Sequence, residues 1–163
     1  MSTETKEIKK TTKTTGEIYI MELVRLFDDA DVLVKRLKKA IYEQNMEVFK
    51  ERFAAEIDVF ANCVEDEADT SALDTLADSF VNEVKDKFAK NGKIGKTKML
   101  DLNFMMIYYI FPAIMMAQPT HSALICDTIR DKWNDGFGTK IDYASYDTII
   151  EGFKGKFLGI FGF

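Results

Sequence analysis

The chain has 163 residues, 47% hydrophobic and 30% charged, which suits one globular domain with enough apolar material, 13 Phe included, to fill a core without disulfide staples. A net charge of −5 works against a nucleic-acid backbone as partner, and only two Pro and nine Gly argue against a turn-rich β fold. The expected class is all-α: a single-domain bundle of about six helices around a central apolar, Pro-kinked helix.

Residues 1–16 are rich in Thr and Lys, lack a hydrophobic period, and are expected to form a disordered polar tail ahead of one helical domain over 17–163. Lys6, Lys9, Lys10 and Lys13 are diluted by Glu4 and Glu7 and carry no interleaved aromatic, so the tail is expected to be solvated. No apolar leader stands at the start, and the expected compartment is the cytoplasm.

Ile20, Leu23, Phe27, Ala30, Val34, Leu37 and Ile41 alternate spacings of three and four. That heptad seam predicts one helix over 17–44. It is expected to pack inside the domain, since further apolar helices follow to cover it; a self-associating coiled coil is the alternative. Asn45 is the expected N-cap of a second helix over 45–65 with a stripe of Phe49, Phe53, Ile57, Phe60 and Val64, and with Glu56 largely off that stripe. Residues 65–69 are an acidic loop. Ser71 and Asp74 resemble a capping box that opens a third helix carrying Leu73, Ala77, Phe80, Val84 and Phe88. Asn91-Gly92 ends it, and 93–98 is a basic loop.

From 104 to 117 every residue is apolar, Tyr or Pro, so this helix has no polar face and is expected to be buried all round. As a helix, that run spans roughly 21 Å, short of the roughly 30 Å hydrocarbon core of a bilayer, which favours a core helix over a membrane span. Pro112 lacks the N–H for Tyr108 and is expected to kink or split it. A fifth helix carries Ile125, Ile129 and Trp133, a loop follows over 134–142, and a sixth begins near Tyr143 with Tyr146, Ile150, Phe153, Phe157 and Ile160 as its stripe. Its glycines, Gly152, Gly155, Gly159 and Gly162, fall on the opposite face. This 149–163 segment is expected to dock on the bundle; the rival is an interaction or membrane-surface element built on Phe153, Phe157 and Phe161 with the Gly155/Gly159 pair.

His121 is the only histidine, which removes two-histidine zinc sites and the Glu-x-x-His diiron pattern. Cys126 lies five residues after His121, on a different helical face, so a Cys–His nucleophile within one helix is not formed. Cys63 is the other thiol, and both are expected to be structural. Asp131, Asp135, Gly136 and Asp142 faintly echo a calcium loop, but Trp133 and Gly138 break the pattern, and a turn is expected. No metal or cofactor is implied.

Met105, Met106, Met115 and Met116, with Tyr108 and Tyr109, make a soft segment that suits plain core filling or an adaptable ligand pocket. The function expected on balance is a non-catalytic binding module acting on a protein partner or on a second copy of itself. The alternatives are a membrane-active protein that uses the 104–117 and 149–163 segments, and a binder of a small apolar ligand in the Met- and aromatic-lined core.

Overall fold

A computed structural model describes residues 21–29, 38–64 and 70–153 of the chain. The domain is all-α, and its described residues contain no strand. Residues 21–25 are helical and tighten into a 3-10 turn at Leu26–Asp29. Six longer elements follow: α1 (Lys39–Arg52), α2 (Ala54–Asn62), α3 (Ser71–Phe88), α4 (Lys96–Ala117), α5 (Ser122–Phe137) and α6 (Tyr146–Gly152).

The heptad seam does not make one helix over 17–44. Lys38 is extended at φ −116°, ψ 145°, and the chain restarts at Lys39. The restart moves the buried stripe by one residue, to Tyr42, Met46 and Phe49, and leaves Ile41 only half-buried. Asn45 caps nothing; it lies inside α1. Cap preference is a local bias, and the packing of Tyr42 and Phe49 on either side of Asn45 overrides it. The interruption comes at Phe53 instead (φ −114°, ψ 19°), where its ring packs 5.0 Å from that of Phe49. The restart also places Glu56 on the inner face, where it is buried.

α3 matches its predicted stripe, with Leu73, Ala77, Phe80 and Val84 fully buried. Its cap is Thr70 rather than Ser71, and the Thr70 hydroxyl lies 3.4 Å from the Asp74 carboxylate. Phe27 is fully buried between α3 and α5, 6.0 Å from both the Phe80 and Trp133 rings. α5 runs to Phe137, so the stretch expected as a loop from Asn134 is helical up to Gly138, whose left-handed φ of 66° stops it. Gly136 therefore lies inside a helix. A Cβ there would stand 2.7 Å from Cγ1 of buried Val81, so the glycine permits α3 and α5 to approach.

α4 is central: its carboxy-terminal part packs on α1, α2, α5 and α6. It begins eight residues before the apolar run, at Lys96, and continues to Ala117. Pro112 does not break it. The helix widens into a π turn over Met106–Ile110, where the Phe111 N–H reaches back to the Met106 carbonyl. Pro112 has no N–H to return to Tyr108, and the Tyr108 carbonyl accepts the Tyr42 hydroxyl of α1 instead. Trp133 Nε1 donates to Asn103 Oδ1 at 2.8 Å and ties α5 to the same helix. At 22 residues, or about 33 Å, α4 is long enough to cross a bilayer, so the length argument against a span does not hold for the whole helix. Its apolar run is nonetheless buried in the bundle from Phe104 to Ile114, apart from half-buried Ile107.

Two outcomes follow. Tyr42→Phe leaves a buried carbonyl unsatisfied and should cost about 1–3 kcal/mol in denaturant melts. In a Pro112→Ala background, where an N–H is restored, that cost should fall by roughly 1 kcal/mol; equal costs in the two backgrounds would refute the link between the proline and the hydroxyl. Gly136→Ala, normally helix-stabilising, should instead destabilise by about 1–2 kcal/mol through the clash with Val81, and a raised Tm would contradict the close approach.

Candidate functional site

Three groups of polar or reactive side chains stand out. The first surrounds the π turn. Met105, Met106, Tyr108 and Tyr109 are buried in one contiguous core, while Met115 and Met116 are half-buried at its margin. Tyr42 lies among aromatic rings: Tyr109 at 5.4 Å, Tyr146 stacked at 5.9 Å and Phe153 at 5.6 Å. Burial pushes the phenols of Tyr42, Tyr108 and Tyr109 above the ordinary tyrosine value, and the Asn45 side chain offsets part of this at Tyr109. These groups stay neutral and pack as core. Of the 149–163 segment, Ile149 and Gly152 are buried and Phe153 packs on Tyr42, so its beginning docks on the bundle. The fully buried aliphatic is Ile149, while the predicted Ile150 is half-buried and packs against the core. Phe157, Phe161, Gly155 and Gly159 lie outside the described residues.

The second group is centred on Arg130. Its guanidinium donates to Asp142 at 3.0 Å and Asp131 at 3.2 Å, lies 3.5 Å from Asp127, and sits 5.5 Å from the centre of the Tyr143 ring. The Tyr143 hydroxyl donates to Asp127 at 2.7 Å. Arg130 holds the Asp142 carboxyl below its usual value, and hydrogen bonding to Asp127 pushes Tyr143 up to about 12. Asn134 closes the following turn: its Oδ1 accepts from Thr139 Oγ1 and the Ile141 N–H, and its Nδ2 donates to the Ile141 carbonyl. Two of the carboxylates that echo a calcium loop thus face a fixed guanidinium, and Asp131 and Asp135 lie on a helix rather than in a loop.

The thiols are separate. Cys126 is fully buried with Sγ 4.0 Å from the Phe111 carbonyl, and burial pushes it up to about 12, far from a thiolate nucleophile. Burial raises Cys63 as well. His121 occupies the N-cap position of α5. No group of three or more His, Cys, Asp or Glu able to hold a metal occurs among the described residues. Glu56 Oε2 is buried without a hydrogen-bond partner among them; the predicted stripe of Phe49, Phe53, Ile57, Phe60 and Val64 is buried as expected, and Glu56 is buried with it although it was expected off the stripe.

The chain matches no protein-family model, no curated protein and no solved structure.

The third group was read in the sequence only as a basic loop. From Lys87 to Leu100 there are five Lys, at 87, 90, 93, 96 and 98, and no acidic residue. Asn91 and Gly92 both take positive φ, 55° and 79°, and Lys90 and Lys93 pair back-to-back across this tight turn through N–H···O bonds of 2.7 and 3.1 Å. Lys87 is engaged by Asp28 at 3.1 Å, and Lys98 lies over the Phe88 ring. Lys90, Lys93 and Lys96 are exposed and make no ion pair among the described residues, and Leu100, one turn beyond Lys96 on the same helical face, is 69% exposed.

The buried phenols predict an alkaline limit. Their folded values lie above the unfolded value near 10, so the stability they confer is complete below about pH 10 and is lost as pH rises beyond it. Thermal melts from pH 8 to 12 should show a flat Tm that begins to fall near pH 10. A Tm unchanged through pH 12 would mean that these hydroxyls reach water.

Proposed function

We propose that this domain is a non-catalytic binding module that works through its surface. The observation that carries the reading is a contrast in how its polar groups are used. The side chains capable of chemistry are committed internally: the Cys126 thiol is buried, the π-turn tyrosines are core, and the Asp127, Asp131 and Asp142 carboxylates close on Arg130. Lys90, Lys93 and Lys96, by contrast, stand exposed around a rigid turn beside an exposed Leu100. Unpaired charges and a bare leucine on an ordered scaffold add nothing to folding and are what a partner engages.

Affinity capture from the source cells with the full chain tests this. A partner should be retained by the wild type and by a Cys63→Ala/His121→Ala variant, and lost with Lys93→Glu/Leu100→Asp, which should melt at an unchanged temperature because both positions are exposed. Retention by the surface variant together with loss in the Cys/His variant would overturn the reading in favour of a reactive site.

A further inference from the structure

We infer that the lysine turn between α3 and α4, with Leu100 beside it, docks on an anionic lipid surface. The inference rests on the binding-module reading and names its partner. The overall charge of −5 makes a stretch from Lys87 to Leu100 with five Lys and no acid a local inversion of sign. The stretch is also fixed in shape. The positive-φ turn at Asn91-Gly92 and the Lys90–Lys93 bridge hold two ammonium groups at one tip, and α4 begins at Lys96 straight afterwards.

The form of the patch selects among anionic partners. Lys90, Asn91, Gly92, Lys93, Gly95, Lys96 and Thr97 are all exposed, so the patch is a projecting tip and not a groove. A peptide that docks by an apolar helical face needs a groove, and one that adds as a strand needs a sheet edge; a projecting turn offers neither. A nucleic acid strand is held by aromatic or Arg stacking, and the exposed residues here include neither. A bilayer surface accepts a convex tip. Lysines on long stems reach headgroup phosphates and carboxylates, each strengthening binding roughly fivefold. Leu100, 69% exposed one turn beyond Lys96, gives the patch an apolar side chain that the interfacial region of a bilayer accepts. Half-buried Ile94 adds to the same tip. This docking is peripheral, and the apolar run of α4 stays in the core.

Flotation of the full chain with phosphatidylcholine vesicles, with and without about 30% phosphatidylserine, provides the test. Binding is expected only to the anionic vesicles and should weaken when salt rises from about 0.1 to 0.5 M. Lys90→Glu/Lys93→Glu/Lys96→Glu should weaken it on the order of hundredfold, and Leu100→Asp about tenfold. A control with the same change in charge elsewhere, Lys38→Glu/Lys39→Glu/Lys140→Glu, should lose far less. Equal binding to neutral vesicles, equal loss in the control, or no vesicle binding at all would overturn the inference. If vesicles fail while the lysine variant still loses a protein captured by the wild type, the lipid assignment falls and the binding-module reading stands.

Discussion

The Tyr42 hydroxyl donated to the Tyr108 carbonyl is the constraint around which this bundle is arranged. A proline in the most apolar helix of a domain leaves a main-chain carbonyl bare where water does not reach. An unsatisfied buried acceptor costs as much as a lost hydrogen bond, so another element must supply a donor at that point. α1 supplies it, and in doing so fixes its own rotation: with Tyr42 turned inward, Met46 and Phe49 follow on the same face. The π turn absorbs the added residue that lets α4 continue on a usable line past Pro112. One phenol therefore links the geometry of two helices that are more than sixty residues apart in the chain.

Two aromatic groups divide the core, and α4 joins them. One gathers Tyr109, Tyr146 and Phe153 around Tyr42; the other gathers Phe27, Phe80 and Phe137 around Trp133. Asn103 on α4 accepts the Trp133 indole N–H, and Tyr108 on the same helix accepts the Tyr42 hydroxyl. The Trp133 indole N–H and the Tyr42 hydroxyl are thus both satisfied by the central helix, which permits these two rings to lie fully inside. Apart from buried Glu56, the charged side chains of the described residues lie toward the periphery, where Arg130 binds three carboxylates and Lys87 reaches back to Asp28.

Where apolar spacing was regular and uninterrupted, it was legible from residues alone. Leu73, Phe80 and Val84 of α3, Ile125 and Ile129 of α5, and the all-apolar run of α4 take up the burial their periodicity implies. Boundaries were harder. The seam from Ile20 to Ile41 is regular in the residues alone, no Pro or Gly announces the restart at Lys39 that shifts the buried stripe to Tyr42, and Asn45 carries a capping preference that tertiary contact cancels. The π turn follows from a long-range partner for Tyr108, which a local pattern does not contain. Of the candidate positions, the Met and Tyr residues of α4 were found by composition, and the structure puts the two Tyr and two of the four Met in the core. The lysine turn was visible as charge only; its significance comes from exposure and from the main-chain geometry at Asn91-Gly92.

The only Trp in the chain has its indole face stacked against Phe27, at 6.0 Å and 20° between planes, while its edge is bonded to Asn103. Its neighbour Phe27 comes from the 21–29 segment and the acceptor from α4. Emission from this one fluorophore therefore reports on the seating of the amino-terminal segment. Withdrawal of that segment bares the ring and shifts its light to the red. Loosening of α6, which packs on the tyrosine group instead, leaves the indole dry. The domain thus carries its own optical gauge, one that distinguishes opening at the first part of the described chain from opening at the last.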